Sequence, residues 1–462
     1  MAGTRKNPEL PLEQEFEPAA SILAQGVGED QENLSLTSRM FESLKYPAYR
    51  IYWAAMMGQM GAMNMQMVAR SWYMYDLTGS AALLGVQALA NGIPMFALSL
   101  FGGVLADRVP KKYVLVAGQT ASAVLSLAIG LLISLNLIQW GHLIGAGVIQ
   151  GLIMGLMMPA RQALVPELVE EKHLTNALAL NAAGMNVNRL LIPAVAGLLI
   201  ALVGIGAAYY VMAGLYVVAL LFVLALPKTG FMVLQGGGAL SDIRDGLRYI
   251  KGNPVLPTLL LVTLITVLLS MPIQMLMPVF TADVITLNAE DQMWMTDLPF
   301  IGDILRPIPE LLGKSSFRLG LLMTVTGFGA LVGSLFIAAV GDHKRGLLLL
   351  LSMLLSGVAL VFFSASPWYY LSLLIAPLVG VGQAGRMSLS NALVQVNTVD
   401  IYRGRVMSIY MMEFGLNSVA VFGVAVLAGV VGVEWAIGGA GALLLFVSIY
   451  CLTSLTSIRN LD

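Results

Sequence analysis

Apolar residues run in blocks along this chain rather than alternating with polar ones. The blocks fall at roughly 49–75, 82–106, 113–136, 140–160, 176–203, 206–226, 256–282, 317–340, 347–366, 368–394, 406–431 and 433–457. A helical bilayer crossing needs about 20 mostly apolar residues, whereas barrel strands are segments of about 10 residues in strict alternation. The pattern therefore predicts an all-α polytopic membrane protein with 12 transmembrane helices and both termini on one side. Only 11% of the 462 residues are charged and 58% are hydrophobic. Soluble domains are about one-quarter charged, so a soluble enzyme and a nucleic-acid binder are both excluded.

The polar residues between blocks set the orientation. Most Lys and Arg residues cluster in alternate loops, among them Arg108, Lys111, Lys112, Arg161, Lys172, Arg244, Arg248, Lys251, Lys344, Arg345, Arg403 and Arg405. Cytoplasmic loops carry such an excess, so both termini are expected in the cytoplasm of a cell (plasma or inner) membrane. Trp72, Trp140, Trp368 and Trp435 fall at the other ends of their blocks, as an interfacial belt requires. Residues 1–47 hold eight acidic residues against four basic ones and no apolar core. They read as a disordered acidic cytoplasmic tail with no cleavable signal peptide. The expected organisation continues with a six-helix half over 48–226, a linker over 227–255, a second half over 256–457 and a short tail over 458–462. Within the linker, 241–251 has helical periodicity that places Ile243, Leu247 and Ile250 on one face. The outer loop 283–318 is acidic and interrupted by Pro299, Pro307 and Pro309, so it is expected as an irregular cap, either a solvated insertion or a lid. Cys451 stands alone, which excludes an intramolecular disulfide.

The two halves share a pattern. Gly85, Ser99-Leu100-Phe101 and Asp107 recur as Gly320, Ser334-Leu335-Phe336 and Asp342, every element displaced by 235. Ala163-Leu164-Val165 recurs as Ala392-Leu393-Val394, displaced by 229. Many transporters are built from such internal repeats, and two pseudo-symmetric six-helix halves are expected.

The run Gly103-Val-Leu-Ala-Asp107-Arg108-Val-Pro110-Lys111-Lys112 lies between blocks two and three. It resembles the loop signature of the major facilitator superfamily, with Pro110 in place of the second glycine. Pro159-Ala-Arg161-Gln-Ala-Leu-Val-Pro166-Glu167 and Arg403-Gly404-Arg405-Val-Met-Ser resemble that superfamily's exporter branch, which includes the enterobactin exporter and macrolide efflux proteins. The resemblance covers about residues 40–457 and implies the major facilitator fold, with spans one, four, seven and ten lining a cavity. It also implies a gating role for Gly103, Asp107, Arg108, Lys111 and Lys112, with Asp107 meeting the eleventh helix. The plainer alternative is that the three cations only fix orientation.

Charges inside spans are costly and point to function by default. Arg189, Arg386 and Glu413 are three such residues, and the heights of Arg386 and Glu413 on their helices place them at similar depth. An Arg386–Glu413 pair would serve either as a static brace between helices or as a proton-coupling device. Arg189 is a candidate anion ligand or a helix-interface lock. Asn64, Gln66, Gln59, Gln150, Gln274 and Gln383 are further candidates for substrate contacts or helix interfaces. Span one interleaves its amides with Met56, Met57, Met60, Met63, Met65 and Met67, a soft wall suited to bulky amphiphiles. No nucleotide-binding loop or His cluster occurs, so no cofactor or metal is expected and ATP-driven transport is disfavoured.

The expected function is export of an amphiphilic small molecule (drug, macrolide or siderophore) by alternating access, in antiport with protons, by a monomer embedded in the lipid bilayer. Uptake or facilitated diffusion by the same fold, including lysophospholipid movement, is the first alternative. A non-transporting receptor or scaffold is the second.

Overall fold

The structure, a computed structural model, describes residues 41–227, 239–285, 307–341 and 344–461. Within these, the side chains of residues 100–108, Glu171, 239–243, 307–308, Asp400 and Phe414 lie outside the description. The long helices are α1 (Pro47–Thr78), α2 (Ala81–Arg108), α3 (Lys111–Ser134), α4 (Trp140–Leu168), α5 (Leu174–Val203), α6 (Ile205–Ala225), α7 (Leu256–Asp283), α8 (Ser315–Val340), α9 (Arg345–Ser364), α10 (Tyr369–Val396), α11 (Asp400–Val431) and α12 (Val433–Ser454). Ten of them, all but α1 and α10, are long and apolar enough to cross a membrane. Each of the two exceptions combines amides with an internal arginine, Gln59, Asn64, Gln66 and Arg70 on α1 and Gln383 and Arg386 on α10.

Lipid is as apolar as leucine, so helices in a membrane associate through close packing of small residues rather than through hydrophobic burial. In the first half α2 runs along α4 and α3 along α6; in the second, α8 runs along α10 and α9 along α12. The halves meet where α5 packs on α8 and α2 packs on α11. On α4 the contact face is a glycine stripe of period four. A Cβ on Gly151 would lie 2.2 Å from the Asn91 carbonyl oxygen, and one on Gly155 would lie 2.6 Å from that of Met95. In the second half a Cβ on Gly380 would lie 1.9 Å from the Thr326 carbonyl oxygen. The repeat-related pair Gly85 and Gly320 both sit between the halves. Gly85 presses on Phe422 and Ala425 of α11, and Gly320 on Pro193 and Gly197 of α5. Pro193 and Gly197, four residues apart on α5, therefore pack against the other half.

Two connections are single glycines. Gly204 (φ 100°) turns α5 into α6 and Gly432 (φ 95°) turns α11 into α12, a left-handed conformation that side chains disfavour. Helix α7 is broken at Met271, where Pro272 supplies no N–H and ends the first segment. The amide of Gln274 turns back to the Met271 carbonyl, and the Ser270 carbonyl left over accepts from Gln383 Nε2 at 3.2 Å.

The linker helix Ala239–Gly252 docks on the start of α11. Gly246 abuts Arg405, Asp245 pairs with Arg405 at 3.6 Å, and Tyr249 stacks on Tyr402 with ring centroids 4.4 Å apart. Leu247, expected on its apolar face with Ile250, is 52% exposed while Ile250 is buried. The docked face is set by Gly246, Tyr249 and Ile250, because a glycine is what allows the Arg405 backbone so near.

Residues 42–46, expected within the tail, form a short turn against the α4–α5 connection. The Ser43 amide donates to Asn176 Oδ1 at 2.9 Å, and the Tyr46 hydroxyl lies 2.8 Å from His173 Nδ1. The hydrogen bond from Lys45 holds the Glu42 carboxyl below its usual range, with His173 3.2 Å away adding to the effect. The tail residues 1–40 and residues 286–306 of the outer loop, with the cap expected there, lie outside the described residues.

At the end of the bundle away from the termini, side chains tie the two halves together. Trp72 Nε1 donates to Ser315 Oγ at 3.1 Å, and Lys314 Nζ donates to the Ala201 carbonyl at 2.7 Å. The Tyr75 hydroxyl donates to the Asp283 carboxylate.

Candidate functional site

A cavity of about 370 Å³ lies between the halves, in the range of small-molecule sites. Helices α1, α2 and α4 face it from one half, and α7 and α11 from the other. Helix α10, expected among the lining helices, contributes no lining residue. The break in α7 opens here, with Met271, Gln274 and Met275 on the wall. Broken helices are a recurring feature of transporter sites because freed backbone and side chains can face the cavity.

The structure brings Asn64, Gln66, Gln150 and Gln274 together on this wall. Asn64 donates back to the Met60 carbonyl at 2.9 Å, so its free carbonyl oxygen remains for a ligand. Both polar atoms of Gln150 are buried without a partner. Gln274 Nε2 donates to Gln383 Oε1 at 2.7 Å, which makes Gln383 the brace of the α7 break. Gln59 lies apart, buried in the α1–α4 core with Nε2 4.0 Å from Met157 Sδ.

Sequence reasoning missed Arg70, Gln87, Asn91 and Asn417, which also line the cavity. A signal was present for Arg70, a cation set among the amides and methionines of span one. It was absent for Gln87, whose helix reads as plainly apolar. Seven methionines complete the wall, giving a polarizable surface that can repack around different apolar bodies.

A second polar group sits deeper toward the termini. Glu413 is buried and its Oε1 accepts from the Thr263 hydroxyl at 2.5 Å, joining α11 to α7. Arg386 is buried, hydrogen-bonded to Tyr410, with Nε and Nη2 unpartnered. Arg386 and Glu413 lie near enough to interact but close no ion pair within 4.0 Å. Arg189, from the other half, is near enough to Arg386 for the two guanidiniums to repel one another. Two cations and one acid thus share this deeper group, and an arginine at a helix centre costs about 2.5–3.5 kcal/mol on insertion scales.

Of the signature loop, the side chains of Gly103, Asp107 and Arg108 lie outside the described residues. Lys111 is buried and pairs with Glu167 at the end of α4, while Lys112 Nζ donates to the Leu224 carbonyl at 2.8 Å. Both lysines are therefore engaged within the first six helices. A larger recess of about 680 Å³ opens at the end away from the termini, beside Tyr75, Asp283 and Glu434. It is the mouth rather than the centre of the bundle.

Comparison with known proteins places this arrangement. The family model described as transmembrane secretion effector matches residues 38–295, more than half of the chain. The enterobactin exporter of Shigella boydii serotype 4 is 24% identical over 421 residues, covering 90% of this chain and 93% of that protein. Macrolide efflux protein A of Streptococcus pyogenes is 24% identical over 406 residues, covering 84% of this chain and 91% of that protein. Among solved structures, a POT family transporter in complex with 5-aminolevulinic acid superposes with a TM-score of 0.70 at 10% identity, over 89% of this chain and 96% of that chain. The chain belongs to the transmembrane secretion effector family, and it is a multi-pass membrane transporter of the major facilitator superfamily.

Proposed function

We propose that this protein exports an amphiphilic small molecule from the cytoplasm by alternating access, driven by protons moving the other way. The observation that carries this reading is the cavity between the halves, where seven methionines and a set of amides meet at the α7 break. That wall suits a molecule with an apolar body and several hydrogen-bonding groups. Exporter-named relatives support the outward direction. In this reading α1 and α10 also cross the membrane, making twelve spans. Their polarity follows from facing the interior, where amides and charges are tolerated because they avoid lipid. The excess of basic residues in alternate loops supports a cytoplasmic location for both termini.

The test begins with a substrate-panel sensitivity assay in an efflux-deficient host. Hits are then followed in proteoliposomes under an imposed pH gradient. Uphill movement that collapses when the gradient is dissipated is expected. Hits that move only downhill would instead establish facilitated diffusion, and a panel without hits or flux would favour a receptor or scaffold.

The side-chain bonds at the end away from the termini would form and break in each cycle. Removing the Tyr75 hydroxyl in Tyr75→Phe deletes the bond to Asp283 while keeping the ring. The pair is exposed and water competes for both partners, so the net bond is worth about 0.5–1.5 kcal/mol and the population sealed at this end is expected to fall by about two- to tenfold. Spin-label distances between the ends of α1 and α7 read this directly, and an unchanged distribution would rule out a gating role for the pair.

A further inference from the structure

We propose that Arg70 anchors an acidic group of the substrate, a carboxylate or comparable anion, within the cavity between the halves. The inference rests on that cavity being the substrate path. Among the described residues lining it, Arg70 is the one cation and no carboxylate is present. Arg70 is 9% exposed, and its Nη1 is buried without a partner. Of the other buried cations among the described residues, Arg161 lies outside this cavity lining, against the sulfurs of Met60 and Met158 and near the Tyr52 phenol. Lys111 has the Glu167 carboxylate, and Arg386 has Tyr410 and the nearby Glu413. Within electrostatic reach of Arg70 are the uncharged phenols of Tyr209 and Tyr216.

The surroundings of Arg70 fit an incoming acid. Nη1 lies 3.8 Å from where a Cβ of Gly147 would stand, so α4 leaves the space beside the guanidinium without a side chain. Gln87 and Gln150, each buried with both amide atoms unpartnered, and Asn417, with Oδ1 unpartnered, flank the same cavity. Buried polar groups are nearly always satisfied, so a cluster of orphans in one cavity marks missing hydrogen-bond partners. An anion answers the guanidinium, and the amides can donate to its oxygens or accept from hydroxyl and amide groups next to it. Arginine is suited to this role because its planar donors match a carboxylate edge. A cationic amphiphile would meet an uncompensated positive charge and be disfavoured.

The probe is a matched pair of fluorescent amphiphiles, one ending in a carboxylate and the other in its carboxamide. Binding to the purified full-length protein is read by polarisation, which requires neither proton coupling nor a direction of transport. The carboxylate is expected to bind at least about tenfold more tightly, the scale of one charge-assisted hydrogen bond. Arg70→Gln is expected to erase that preference, bringing the two affinities together, and Arg70→Lys to keep part of it. Equal affinities in the native protein would overturn the proposal, as would a preference that survives Arg70→Gln. So would a preference that is lost in Arg386→Gln and kept in Arg70→Gln, which would move the anion site to the deeper cluster. Should the Arg70 variants fail to fold, the native comparison and the Arg386→Gln comparison still decide. Carboxylate preference without liposome flux would refute export and leave the anion site standing, whereas flux without preference would do the reverse.

Discussion

Gly151→Ala is expected to lower the melting temperature of the purified protein and its yield after detergent extraction, though it adds only one methyl group. The new Cβ would stand 2.2 Å from the Asn91 carbonyl oxygen, and the next contacts are also Asn91 backbone atoms. Backbone within a helix cannot swing aside as a side chain can, so α2 and α4 must separate. Overpacking of this kind costs about 1–3 kcal/mol. Against it stands the helix-propensity gain of alanine over glycine, about 1 kcal/mol. The clash wins because α2 also carries the contact with α11, so the shift propagates to the junction of the halves. Gly145→Ala on the same helix is the control, since a Cβ there meets nothing within 4 Å. It should leave the melting temperature unchanged or raise it. A Gly151→Ala protein as stable as the Gly145→Ala protein would show that the two helices have room to spare.

Much of this architecture is legible in the sequence because a bilayer enforces it. Every backbone group must be satisfied within its own segment, so each apolar block long enough to cross becomes a helix with little freedom in its bounds. The repeat is legible for a related reason: Gly85 and Gly320 recur because the two junctions between halves demand the same close approach. The cavity is less legible. Its lining depends on the rotation of each helix about its axis, and the long α2 and α11 have no clean polar stripe to reveal it. Gln87 and Asn417 therefore went unnoticed, while Gln59 and Gln383, chemically identical to the lining amides, turned out to serve the core and the α7 break. Glu413 and Arg386 were found because a charge deep in a span stands out against any background. Their separation was not legible, since equal depth on two helices fixes height and leaves the side-chain direction open.

That separation shapes the strongest functional prediction: Glu413→Gln is expected to abolish pH-driven accumulation of substrate while downhill exchange continues. In the structure the carboxyl is held by the Thr263 hydroxyl at 2.5 Å, and Arg386 keeps two unpartnered nitrogens beside it. A movement of α10 against α11 that closed the Arg386–Glu413 gap to about 4 Å would strengthen an attraction whose full value at that distance is roughly 4 kcal/mol at an effective dielectric of 20. Pairing with the guanidinium favours the ionised carboxyl and so the release of a proton, and re-opening favours its return. A driving force equivalent to 100 mV supports about a 50-fold accumulation, and an uncoupled carrier should fall to no accumulation at all. Glutamine keeps the acceptor for Thr263 and the volume of the side chain, so loss of the fold is not the expected cause, and retained downhill exchange would verify that. Thr263→Val separates the two contacts of the carboxyl: it removes the hydroxyl but leaves the acid, and should alter the pH profile without uncoupling. Accumulation in Glu413→Gln proteoliposomes equal to that of the native protein would make this carboxyl a structural brace between α7 and α11.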